Sequence, residues 1–275
     1  MRITKAIIPV AGWGTRWLPL TKTIEKCMLP IGNRPLIDYA VQDCLKAGIT
    51  EFIFVVGEDS NQLEDYYRSN IKLNDYLRRH GKEDKLPLVA PLSGAKIHFV
   101  VQPSYGKYGT AIPVALAADY IDEGESVVVV MGDDFFYNAD GSSEIKRLID
   151  GTPDGASGIL GAVLDKSDTL TPRYGSIEVD ENDNLIRIDE HPETPPEPFI
   201  KNVAKYVLNY ELLQSVREYA KLDTSSTGEF YIFTPFEPLL AAGETMKLVR
   251  SQGVYLDGGT VDGWLHANQV VHGKS

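Results

Sequence analysis

Apolar runs and polar breaks alternate along the first half of this chain, in two different periods. Residues 3–10 contain the run Ala6-Ile7-Ile8-Pro9-Val10, which predicts a strand covered on both faces. Leu36, Tyr39, Ala40 and Leu45 then recur at roughly helical spacing, so 35–47 predicts a helix closed by Gly48. Further strands are predicted at 52–56, 97–101 and 126–131, the last apolar throughout after Ser126. Helices are predicted at 111–118, with Pro113 in the first turn, and at 143–150. The polar, tyrosine-rich stretch 62–79 has helical character. Residues 61–96 as a whole read as a long insertion between the second and third strands, and insertions of that length usually serve function or form an interface.

The pattern changes near residue 156. Strands are predicted at 156–164, 176–179 and 185–188, the last two flanking the turn Asp180-Glu181-Asn182-Asp183-Asn184. A strand at 203–208 and a helix at 210–220 follow, and the proline- and acid-rich strip 192–198 reads as an exposed loop. The sum is an α/β fold: a Rossmann-like, mostly parallel mixed sheet flanked by helices, with a small additional β region in the second half. No repeat interrupts it, and residues 1–275 read as one domain.

Composition narrows the chemistry. With 275 residues and 43% hydrophobic content the chain can bury a full core. Its net charge of −12 argues against a general role on nucleic acid or anionic membrane. Cys27 and Cys44, the two cysteines, make neither a disulfide framework nor a zinc site, and both read as packed small residues. No apolar segment approaches a membrane span, and the first residues read as a strand rather than a signal peptide. A reduced, cytoplasmic protein is expected.

Behind the first strand stands Ala11-Gly12-Trp13-Gly14-Thr15-Arg16-Trp17-Leu18-Pro19, leading to Lys22 and Lys26. Glycines let the backbone turn tightly and approach a ligand, and N–H groups in such a turn bind anions. Arg16, Lys22 and Lys26 add positive charge, and the whole describes a polyphosphate site. It is neither the dinucleotide fingerprint, whose third glycine would fall at Trp17, nor a P-loop, because Thr15-Arg16 follows Gly14. Asp133 follows the buried strand that ends in Gly132. A carboxylate at such a strand end can hold Mg²⁺, with Asp134 as an alternative ligand or a helix cap. Asp257, in Leu256-Asp257-Gly258-Gly259, reads by itself as an Asp-Gly turn. Gln102, ending the third strand, can pair with a donor and an acceptor on a base edge, while Gly109 opens the next helix.

The string Gly12-x-Gly14-Thr15-Arg16-x-Leu18-Pro19-x-Thr21-Lys22, closed by Lys26-x-Met28-Leu29-Pro30, resembles the signature of the sugar-phosphate nucleotidyltransferases, their uridylyltransferase branch above all. The resemblance runs from Lys5 to about Gly263. It implies that about 1–150 form a nucleotide-binding half and about 151–275 a sugar-phosphate-binding half. It implies catalytic roles for Arg16 and Lys26, and nucleotide contacts from Ala11, Gly12, Gly14, Thr15, Gln102, Gly109 and Asp133. Asp133 and Asp257 become the paired ligands of Mg²⁺. Gly175, Glu190, His191 and Val203 become the sugar-phosphate side. The implied reaction joins UTP to glucose 1-phosphate, giving UDP-glucose and pyrophosphate, in a homodimer or homotetramer.

Two positions depart from the family pattern. Where the family has a lysine after Glu190 this chain has His191, which is mostly neutral near pH 7 unless a phosphate raises its pKa. Where it has a proline before the loop lysine this chain has Glu25, expected either to neutralise Lys26 in part or to point to solvent. Two other readings therefore stay open. One is the same chemistry on another nucleotide or sugar, such as dTTP, CTP or an amino sugar. The other is a protein that binds nucleotide-sugars without turning them over. A nicotinamide dehydrogenase is disfavoured by the glycine spacing.

Overall fold

The computed structural model describes residues 2–164, 174–190, 192, 196–225 and 228–273. The chain runs β1 (Lys5–Pro9), β2 (Pro30–Ile31), β3 (Arg34–Pro35), α1 (Leu36–Lys46), β4 (Glu51–Gly57), α2 (Gln62–Tyr67) and α3 (Ile71–Arg79). It continues through β5 (Lys96–Gln102), α4 (Ala111–Ala117), β6 (Val127–Val130), β7 (Asp134–Tyr137), α5 (Glu144–Gly151), β8 (Ser157–Leu164), β9 (Ser176–Val179) and β10 (Leu185–Asp189). It ends with β11 (Phe199–Leu208), α6 (Tyr210–Lys221), α7 (Phe236–Ala241), β12 (Met246–Arg250), β13 (Val254–Asp257) and α8 (Val261–Val271).

A nine-stranded mixed sheet forms the centre, with the path β10-β9-β11-β6-β1-β4-β5 and with β8 pairing β11 and β12. The first-half strands β6, β1, β4 and β5 are parallel. The ten-residue β11 runs antiparallel to β6, β8 and β9 and joins the two halves into one sheet. The expected α/β class and mixed sheet are what the chain forms.

The continuous apolar runs have a direct cause. Successive side chains of a strand point to opposite faces. Ile7, Ile53, Val55, Val127 and Val129 pack with α4 and α6 on one face. Ala6, Ile8, Phe52, Phe54, Val128 and Val130 pack with α1 and α5 on the other. A third, smaller core gathers Ile31, Leu36, Phe135, Leu256 and Ala267 around the two-stranded ribbon of β7 and β13. Tyr39 stacks on Phe135 there, with ring centroids 4.4 Å apart.

Several expectations change in detail. The helical stretch 62–79 is two helices, broken between Tyr67 and Ile71. The strand expected at 203–208 starts at Phe199. The ribbon partners β7 and β13, and also α7, β12 and α8, have no counterpart in the sequence reading. The loop 192–198 lies partly outside the described residues. Among those described, no helix is long and apolar enough to cross a membrane.

Candidate active site

Parallel strands place their carboxyl ends on one edge, and ligands of open α/β sheets bind in the crevice beyond that edge. In this chain β1 lies between β6 and β4, so the loops after β1, β4, β5 and β6 all open there. The residues singled out above at 11–16, 109 and 133 are in those loops, and Gln102 ends β5 at the same edge.

The glycine loop has structural reasons for its sequence. Gly14 adopts φ +62°, and a Cβ there would stand 3.0 Å from both Lys26 Cβ and Thr21 Cγ2. Glycine at this position lets the loop lie directly on the lysine it serves. Among the described residues nothing lies within 4 Å of a Cβ placed on Gly12, which leaves room there for a ligand. Thr15 and Arg16 stand exposed in a short turn, while Trp17 is buried and donates through Nε1 to the Gly258 carbonyl at 3.2 Å. Arg16 has no ion-pair partner among the described residues. Gly109 has a different origin. Its φ is +122°, and any Cβ would stand 2.4 Å from the Phe230 backbone nitrogen, so the glycine is required by close packing of two chain segments. Gln102 is half-buried at the end of β5 and borders an apolar groove with Tyr105 and Ile112.

Three charged groups converge. Lys26 Nζ donates to Asp133 Oδ2 at 2.7 Å. The Gly259 amide donates to Asp257 Oδ1 at 2.6 Å. A Cβ built on Gly259 would lie 2.8 Å from Asp257 Oδ1, 3.4 Å from Lys26 Nζ and 3.8 Å from Asp133 Oδ2, so all three surround one point. Glycine at 259 keeps that point free. Gly132 packs against Val10 and Ile37 too closely for a side chain, and the Gly258 amide donates to the Asp133 carbonyl at 3.1 Å. These contacts fix both aspartates to rigid elements. Burial opposes ionisation of Asp133, but the neighbouring Lys26 ammonium, together with Lys205 and a backbone hydrogen bond, outweighs it and holds the carboxyl below the usual range. The Asp133 side chain keeps 46% of its surface open, so it remains reachable.

Asp134 behaves in the opposite way. It is neither a helix cap nor part of that convergence, because it begins β7 and points inward. There it pairs with the buried Lys205 and accepts from Tyr255 Oη at 2.8 Å. Burial pushes its carboxyl up, against the pull of Lys205.

Gly175 and Glu190, both expected to face the sugar phosphate, are brought together. A Cβ on Gly175 would meet Glu190 Oε1 at 2.8 Å, and Val203 is buried in β11. Tyr174 links this group to the carboxylates, its hydroxyl lying 3.3 Å from Asp257 Oδ2. His191 lies outside the described residues.

Glu25 does neither thing expected of it. Its carboxylate accepts from Ser60 Oγ at 2.8 Å and from the backbone amides of Asn61 and Gln62 at 3.0 and 2.8 Å. It thereby satisfies the open amides at the start of α2. Gln62 returns the contact, accepting from the Glu25 amide and donating to the Thr23 carbonyl. The lysine loop is pinned to the insertion, and Lys26 is left free for Asp133. Cys27, buried beside it, has its thiol pushed up to about 12, by burial first and then by the Glu25 charge, which makes it inert as a nucleophile.

Sequence reasoning missed Lys201 and Lys205, both buried in β11. Burial pushes the Lys201 ammonium down to about 8, against the pull of Asp134 and Asp257. Two lysines four residues apart in a strand that is otherwise apolar except for Asn202 were the available signal.

Comparison with known proteins identifies the family. Residues 5–273 match the nucleotidyl transferase family. The chain is 32% identical over 227 residues to a UTP–glucose-1-phosphate uridylyltransferase of Streptococcus pneumoniae, covering 80% of this chain and 75% of that one. A uridylyltransferase of Streptococcus pyogenes is 38% identical over 151 residues, and the chain spans half of that relative's length. The UTP-bound UGPase structure from Acinetobacter baumannii superposes with a TM-score of 0.85 at 26% identity, covering 98% of this chain and 93% of the other. With its glycine loop, its paired aspartates and these relatives, the chain belongs to the nucleotidyl transferase family.

Proposed function

We propose that this protein is a UTP–glucose-1-phosphate uridylyltransferase, joining UTP and glucose 1-phosphate to give UDP-glucose and pyrophosphate. The observation that carries this reading is the convergence of Lys26, Asp133 and Asp257 around the open point above Gly259. One ammonium and two carboxylates at a strand end, beside a glycine loop, suit a triphosphate and its counter-ion. The named activities of the streptococcal relatives supply the substrate pair.

Among the described residues no three His, Cys, Asp or Glu side chains form a complete metal cage. Two carboxylates fit Mg²⁺, which takes one or two from protein and the rest from phosphates and water. Asp133 and Asp257 would hold it, and when bound it neutralises phosphate charge and orients the reacting oxygens.

The chain's own groups do the remaining work. Gly12 and Gly14, with the backbone of Ala11 and Thr15, cradle the triphosphate, and Gln102 reads the base edge together with the backbone at Gly109. Arg16 and Lys26 balance charge on the phosphates as it redistributes. Gly175, Glu190 and Val203 receive the sugar, whose hydroxyls donate to Glu190. A phosphate oxygen of glucose 1-phosphate attacks the α-phosphorus of UTP in line. The new P–O bond forms as the bond to the β-phosphate oxygen breaks, and pyrophosphate leaves with that electron pair. No covalent enzyme intermediate is required.

Pyrophosphate release over four nucleoside triphosphates and several sugar 1-phosphates, with and without Mg²⁺, tests this reading. Turnover with UTP and glucose 1-phosphate above every other pair is expected. Faster turnover with dTTP or CTP would keep the chemistry and move the substrate. Tight nucleotide-sugar binding without turnover would replace the enzyme by a binder.

A further inference from the structure

Three lysines stand among the carboxylates, and one has an idle ammonium. Lys26 donates to Asp133 and Lys205 to Asp134. Lys201 Nζ is buried without a hydrogen-bond partner among the described residues, and the residue is only 3% exposed. It sits 3.1 Å from the ring centroid of Tyr174 and 3.6 Å from that of Tyr255. An ammonium carries three donors, and burying it with none of them used is costly. Two aromatic faces offset part of that cost but supply no acceptor.

The position of the slot indicates what acceptor is missing. The hydroxyl of Tyr174, one wall, reaches Asp257. The next residue, Gly175, lies against Glu190. Lys201 pairs across the sheet with Ser176, one residue further on. The idle ammonium therefore lies at the seam between the paired aspartates and the sugar-side cluster. A phosphomonoester dianion entering that seam stands beside Glu190, which repels it, and on the side away from Lys26 and from the cation that Asp133 and Asp257 would hold, Lys201 supplies positive charge.

We propose that Lys201 binds the phosphate of the incoming sugar 1-phosphate, its ammonium swinging out of the aromatic slot on its flexible four-carbon stem to donate to the phosphate oxygens. This assignment rests on the transferase reading above. Its test is steady-state pyrophosphate release by Lys201→Met and Lys201→Arg, varying one substrate at a time. Lys201→Met is expected to raise KM for glucose 1-phosphate about tenfold or more while changing KM for UTP less than about twofold. Lys201→Arg, which keeps the charge, is expected to recover part of the loss. A fall in kcat with KM for glucose 1-phosphate unchanged would mean that Lys201 only supports Tyr174, and would overturn the proposal. An equal rise in both KM values would overturn it as well. If Lys201→Met does not fold, Lys201→Gln takes its place under the same criteria.

Should the native protein turn over no pair, the transferase reading fails on its own account. Calorimetric titration of glucose 1-phosphate into the native protein and Lys201→Met then decides the remaining question. Binding about tenfold weaker in the variant supports phosphate capture by Lys201, and equal binding, or none to the native protein, contradicts it.

Discussion

Asp133 and Asp134 are neighbours in sequence, each paired with a lysine, and they stand in opposite settings. The Lys26–Asp133 pair faces the cleft, with 19% and 46% of the two side chains open to solvent. The Lys205–Asp134 pair is sealed beneath it, with 2% and 11% open. Strand alternation explains the split, since consecutive residues entering β7 must point to opposite sides. Charge alone therefore does not mark a functional carboxylate. What separates the two is access, and whether a second carboxylate shares the space. Asp257 joins Asp133 above Gly259, whereas Asp134 pairs with Lys205 and the Tyr255 hydroxyl.

The largest effect should come from breaking the sealed pair. Asp134→Ala leaves Lys205 buried without its partner and should cost about 3–5 kcal/mol, read from urea unfolding. Replacing both partners together, as Asp134→Leu with Lys205→Met, should recover much of that loss, because no charge is then left stranded. A single variant as stable as the native protein would dissolve the contrast.

Breaking the open pair should instead strike the rate. Asp133→Asn and Asp257→Asn should each lower kcat on the order of a hundredfold, the scale of a lost electrostatic group. Their unfolding free energies should stay within about 1 kcal/mol of native. A large stability loss with the rate preserved would assign Asp133 to the scaffold.

A smaller effect is expected where the loop is pinned. Glu25→Ala strips the acceptor from Ser60, Asn61 and Gln62 and should cost about 1–2 kcal/mol. It should also slow turnover several-fold by loosening Lys26. An unchanged rate would show that Lys26 is held by Asp133 alone.

The smallest effect is on acid stability. The folded chain holds Asp133 below its ordinary value, so its contribution is complete above that ordinary value and fades as pH falls through the depressed one. Asp133→Asn should therefore flatten the acid limb of a plot of urea midpoint against pH. Superimposable limbs would remove Lys26 as the cause.

The legibility of this chain divides along similar lines. β1, β4, β5 and β6 could be read because both sheet faces are covered, which leaves unbroken apolar runs. The ribbon strands β7 and β13 are four residues each, with mixed burial, and carry no such run. In α8, Gly263 and scattered polar residues blur the helical period, and α7 begins behind Pro235 and contains Pro238. The site was readable where one local string held its residues, as in the glycine loop. Glu25 was misread because its partners lie 35 to 37 residues onward. Lys201 and Lys205 were missed because a lysine in a strand is ordinarily solvated, and only the assembled sheet shows these two to be buried.

Under the proposed function Asp133 and Asp257, and not Asp134, would share one divalent cation with the nucleotide. The most direct test is Mn²⁺ binding in the presence of UTP, followed by water-proton relaxation, with Mn²⁺ standing in for Mg²⁺. Affinity should be at least about tenfold weaker in both Asp133→Asn and Asp257→Asn than in the native protein. Native affinity in both variants would contradict it.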